Sequence, residues 1–132
     1  MADINLLAAS SIVLKSARGR VEDDYTVTNS NSATAVINLG GGQAVKVISL
    51  VLRNTNSSTA YDIDVFVSAN QAAAPNSYLY ENYSIAADTT WIAVSPNTTG
   101  PIFLEEIDEF RIGGTGGSES YVYYTLSYEL IT

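Results

Sequence analysis

The chain has 132 residues, 14 of them acidic and 6 basic, and contains neither cysteine nor histidine. One domain of ordinary size fits that length, disulfide and thiolate chemistry are excluded, and the commonest general base and metal ligand is missing. A net charge of −8, with the cations scattered at Lys15, Arg18, Arg20, Lys46, Arg53 and Arg111, disfavours binding to nucleic acid or to an anionic membrane.

Residues Ile4 to Leu14 are mildly apolar but follow Asp3 with no basic region before them, so neither a signal peptide nor a membrane helix is expected there. Residues 1–20 are read as an N-terminal arm or edge strand, with strand structure over Ser10 to Leu14, and residues 21–132 as the main domain. Tyr25 to Thr28 and Thr34 to Asn38 are short and rich in β-branched residues, with the turn-forming Asn29-Ser30-Asn31-Ser32 between them. Gly40-Gly41-Gly42 then breaks the chain.

Ala44 to Asn54 is the strongest strand. One face reads Lys46, Ile48, Leu50, Leu52 and the other Val45, Val47, Ser49, Val51. An antiparallel strand with one wet face should alternate apolar and polar. This one is apolar on both faces in its middle, so it is either covered twice or turned outward onto a partner. Tyr61 to Val67 alternates cleanly, with Tyr61, Ile63, Val65 and Val67 inward and Asp62 and Asp64 outward. Further strands are predicted over Tyr78 to Ile85, Thr89 to Val94, Ile102 to Leu104, Asp108 to Ile112 and Tyr121 to Ile131. Short strands at this spacing predict an all-β, antiparallel β-sandwich or jelly-roll-like domain.

Two kinds of residue could carry function. Carboxylates recur in Glu22-Asp23-Asp24, in Asp62 and Asp64, and in Glu105-Glu106-Ile107-Asp108-Glu109. Asp62 and Asp64 would sit roughly 7 Å apart on one strand face. Calcium needs six to eight oxygens, so either set requires help from other loops, and solvated or edge-protecting charge is the simpler reading. Glycoside hydrolysis would need one carboxyl in an apolar pocket, whereas Glu105 to Glu109 read as a solvated turn. No catalytic residue, metal site or cofactor is assigned, and the chain is read as a non-enzyme.

Tyrosine is the second kind, with nine in the chain. In the last strand, Val122, Tyr124, Leu126, Tyr128 and Leu130 form the expected core face. Exposed tyrosines supply apolar area and a hydroxyl at low entropic cost, which suits interfaces; cross-strand pairing within the sheet is the alternative. Tyr78, Tyr80, Tyr121 and Tyr123, with the apolar Val45, Val47 and Val51, are the candidate interface. Trp91 is read as a core or rim residue.

The order of segments from residue 44 to 131 adds a third indication. Leu50-Val51-Leu52-Arg53-Asn54-Thr55, Ser84 to Trp91, the run Pro101-Ile102-Phe103-Leu104-Glu105-Glu106 leading to Asp108 and Phe110-Arg111-Ile112, and the closing Tyr128-Glu129-Leu130-Ile131 together resemble small β-sandwich virion proteins of tailed bacteriophages. The resemblance implies a head-decoration (cement) or a neck or tail subunit, located in the virion. Its partners would be the major capsid protein or other virion proteins, and it would form a homo-oligomer such as a trimer. A receptor- or carbohydrate-binding module of a tail or cell surface is the alternative.

Overall fold

The computed structural model of the protein describes residues 11–21, 34–39, 41–68, 76–105, 108–114 and 121–132. The strand expected at Tyr25 to Thr28, the acidic run at Glu22 to Asp24, and Glu106 lie outside them. Among the described residues nine strands run in chain order: β1 (Ile12–Arg20), β2 (Thr34–Asn38), β3 (Ala44–Asn54), β4 (Tyr61–Ser68), β5 (Asn76–Ile85), β6 (Thr90–Val94), β7 (Ile102–Leu104), β8 (Glu109–Gly114) and β9 (Val122–Ile131).

They form two antiparallel sheets. The first has the order β1-β9-β3-β6, with β7 also on β3; the second has the order β2-β8-β4-β5. This is an all-β sandwich, as the strand spacing predicts. Consecutive strands mostly alternate between sheets, and β4 with β5 is the only consecutive pair hydrogen-bonded to each other among the described strands. Nearly every ladder therefore joins residues far apart in sequence, a topology that folds slowly.

The core lies between the sheets. Leu50, Leu52 and Leu126 from the first sheet meet Ile63, Phe110 and Ile112 from the second, all fully buried. The last strand turns Val122, Tyr124, Leu126, Tyr128 and Leu130 toward this core, as its alternation predicts.

Strand β3 departs from the sequence reading. Its pairing with β9 slips between Val47 and Ser49, so Ile48 is an extra residue on β3 opposite no partner of its own. A bulge of this kind reverses which face the following residues occupy. The buried positions are accordingly Val45 and Val47 before it, and Leu50, Leu52 and Asn54 after it. The strand is thus not apolar on two faces. It has one apolar face, interrupted by the bulge, and Val45 and Val47 are core residues with no exposed surface. Their assignment to an interface is corrected on that ground.

Asn54 closes the same strand. Its fully buried amide nitrogen reaches the carbonyls of Thr59, Ile85 and Ala86 at 2.9, 3.1 and 3.2 Å, and its side-chain oxygen accepts the Asn56 amide at 2.9 Å. Asn56 continues the device, its side-chain oxygen accepting the Ser58 and Thr59 amides at 2.9 Å each. Carbonyls left unsatisfied in the interior each cost about 1–3 kcal/mol. Asn54→Ala is expected to lower the stability by about 3 kcal/mol, read as a drop in the urea midpoint. In the same assay Val47→Asp should prevent folding, while Val51→Thr, on the outward face, should cost less than about 1 kcal/mol.

Candidate functional site

The register of the first sheet fixes what its outer face displays. Residues directly opposite one another across a ladder share a face. Tyr124 and Leu126 point inward, so Tyr123 and Thr125 point out, and their partners follow. Arg20, Tyr123, Arg53 and Thr90 make one row across β1, β9, β3 and β6; Arg18, Thr125, Val51 and Ile92 make the next. Ser16, Ser127 and Ser49 form a third, and Leu14, Glu129, Lys46 and Phe103, the last from β7, a fourth.

Four of the chain's six cations, Arg18, Arg20, Lys46 and Arg53, therefore lie on one face, with Glu129 between them and Asp88 at its margin beside Arg53. This face is net positive on a chain of charge −8. Arg53 is also tied to the β5–β6 turn, donating to the Asp88 carbonyl at 2.8 Å and pairing with the Asp88 carboxylate. That contact holds Asp88 in its left-handed conformation, φ 54°. Interleaved with the cations are large apolar groups left open to solvent: Leu14 is 70 % exposed, Ile92 58 %, Phe103 47 % and Tyr123 46 %. Arginine, tyrosine and apolar side chains mixed on one surface are the composition that protein interfaces favour.

The other tyrosines divide between two tasks. Between Tyr78 and Tyr80 the β5 ladder slips against β4, with Val65 opposite Tyr80 and Phe66 opposite Tyr78. The two tyrosines therefore turn to opposite faces of the second sheet. Tyr80 packs on the core and its hydroxyl donates to the Ala93 carbonyl at 2.8 Å, joining the edges of the two sheets. Trp91 meets the Tyr80 ring edge-on at 4.8 Å and stacks on Tyr83 at 3.8 Å with planes 8° apart. Tyr78 packs on buried Phe66, centroids 5.0 Å apart. Both are half-buried against their own chain, Tyr80 closing the sandwich from inside and Tyr78 lying on the outer face of the second sheet, so the two do not form one patch. Tyr121 and Tyr123 do face outward, each nearly half exposed, and Tyr121 stacks on Tyr61 at 6.2 Å. Val51 remains on the outer face beside Ile92.

The carboxylates are distributed differently from expectation. Asp64 is buried, not solvated, and its Oδ1 accepts the amide of Asn82 at 2.6 Å. Asn82 has φ 51°, a conformation that this acceptor helps to hold in the irregular part of β5. Glu109 belongs to β8 rather than to a solvated turn, and it is buried against Arg111 two residues on, in an ion pair between side chains 6 and 10 % exposed. Phe66 and Ser68 of β4 lie opposite this pair. The outer face of the second sheet thus holds a buried polar cluster that alternation alone conceals, since Asp64, Glu109 and Arg111 occupy positions that read as wet. The Glu105 amide donates to Asp108 Oδ2 at 3.0 Å, and the Asp108 amide donates to the Glu105 carbonyl at 3.2 Å. Among the described residues no group of three Asp or Glu is placed to hold a metal ion.

No protein-family model matches the chain, and comparison with curated proteins returns no match.

Removing one partner of a buried ion pair strands the other charge, whereas removing both does not. Arg111→Met should therefore cost about 3–5 kcal/mol of stability, and Glu109→Gln combined with Arg111→Met distinctly less, by chemical denaturation of the three proteins.

Proposed function

We propose that this chain is a non-catalytic structural subunit that docks on other proteins of a larger assembly, and that the assembly is a tailed-phage virion, with head decoration (cement) as its role. The docking half of the reading is carried by one observation: the outer face of the first sheet leaves Leu14, Ile92, Phe103 and Tyr123 in solvent among Arg18, Arg20, Lys46 and Arg53. The virion half is supported by the resemblance of residues 44–131 to small phage β-sandwich subunits. The mechanism is mass action. A subunit that binds only the assembled lattice lowers the free energy of that lattice, and bridging between neighbouring coat subunits is what this face would do. Association of several copies into a closed ring, a trimer being the simplest that suits threefold positions in a shell, belongs to the same reading.

The carbohydrate-binding alternative has one feature in its favour, the parallel Tyr61–Tyr121 pair with Tyr121 half in solvent, since aromatic faces stack on sugar rings. Tyr121→Ala assayed on a glycan array tests it.

The assembly reading is checked by co-sedimentation with undecorated phage shells. Wild-type chain should pellet saturably, and Ile92→Ser with Tyr123→Ala should weaken that binding about tenfold or more while leaving the thermal midpoint within a few degrees. A chain that stays in the supernatant, or a double variant that pellets like wild type, would overturn the reading.

A further inference from the structure

Among the described residues, strand β1 is an edge of the first sheet. It is nine residues long and pairs with β9 from Ile12–Ile131 to Arg20–Tyr123 without a register shift, and no other strand pairs with it among the described residues. Its hydrogen-bond phase can be read from its two ends. Ser11 and Thr132 exchange both backbone bonds, at 3.1 and 2.9 Å, and the Val21 amide donates to the Val122 carbonyl at 2.9 Å. In an antiparallel ladder bonded and non-bonded pairs alternate, so Val13, Lys15, Ala17 and Gly19 bond to β9. The N–H and C=O groups of Ile12, Leu14, Ser16, Arg18 and Arg20 consequently point away from the sheet. Seven of the nine residues are exposed, and Leu14 is the most open of its apolar side chains Ile12, Val13 and Leu14.

Such an edge is a template for another strand, and its charge selects which. Lys15, Arg18 and Arg20 are half of the chain's cations, so pairing of β1 with β1 of a second copy would set three positive charges against three. An acidic strand would meet them with opposite sign. Gly19 anchors the edge to the domain: a Cβ there would lie 2.9 Å from the Tyr124 hydroxyl and 3.1 Å from the adjoining ring carbon. The edge is therefore seated on the core rather than held only by its backbone.

We infer that β1 receives an extended acidic strand from a neighbouring polypeptide of the assembly, adding a sixth strand to the first sheet, with acidic residues beside Arg18 and Arg20 and apolar ones beside Ile12 and Leu14. This rests on the docking half of the reading above and names the partner's chemistry. An incoming antiparallel strand, the more stable arrangement per residue, then runs acid-x-acid-x-small-x-apolar-x-apolar.

The probe is the peptide acetyl-Glu-Thr-Glu-Thr-Thr-Glu-Val-Thr-Val-amide, with a control carrying Lys at each Glu, titrated into the full chain and followed by amide hydrogen exchange. The acidic peptide should slow exchange at Leu14, Ser16 and Arg18 and bind at least about tenfold tighter than the control. Ser16→Pro removes an outward donor and no β9 bond, a place where an edge strand tolerates proline, and should abolish capture. Arg18→Glu with Arg20→Glu, which leaves the backbone untouched, should reverse the peptide preference. Equal binding of the two peptides, unaltered capture by a folded Ser16→Pro chain, or no capture at all would each overturn the inference. Shell co-sedimentation without peptide capture removes strand addition alone; peptide capture without co-sedimentation removes the virion assignment and leaves strand addition standing.

Discussion

The bulge at Ile48 is the constraint on which the rest of the structure depends. β3 is bonded along one side to β9 and along the other to β7 and then β6, so it sets the register of most of the first sheet. Without the extra residue, Val45 and Val47 would face the core while Leu50 and Leu52 faced water, or the reverse. One slipped residue puts all four on the same side. The sandwich then closes over a continuous apolar layer, with Leu126 and Phe110 filling it from the adjoining strand and the facing sheet.

The same reversal decides what is left outside. Beyond the bulge, Val51 and Arg53 become outward residues, aligned with Thr125 and Tyr123 on β9 and with Arg18 and Arg20 on β1. Cations that look dispersed along the sequence, at positions 18, 20, 46 and 53, meet on one surface because β1, β9 and β3, from distant parts of the chain, lie side by side. A positive face on an acidic protein orients approach to an acidic partner, since the remainder of the molecule repels it. That surface and the edge of β1 adjoin, so a strand laid along β1 would extend the face instead of competing with it.

Aromatic side chains serve closure and display in different places. Tyr80, Tyr83 and Trp91 form a packed seam where the edge of the second sheet meets β6, and the Tyr80 hydroxyl ties the seam to the Ala93 carbonyl. Tyr123 and Tyr121 stand out from the last strand and its approach. Composition counts the two groups together. Local ladder slips separate them, and in β5 a slip between neighbouring tyrosines is enough to send Tyr78 and Tyr80 to opposite faces.

Strand positions were legible in the amino-acid order, because β-branched and aromatic runs bounded by Asn, Gly and Pro depend only on local chemistry: β2, β3 and β7 occupy the predicted spans, and the inward set of β9 follows from simple alternation. Which face each residue occupies was legible only where the ladder is unbroken. Val45 and Val47 turned out to be core residues, and Asp64 and Glu109 to be buried, since bulges and cross-strand neighbours such as Asn82 and Arg111 are set by pairing between segments far apart in the chain. The period of a strand is a local property. Its phase relative to the core is fixed by the partner strands, and only the folded sheets bring those together.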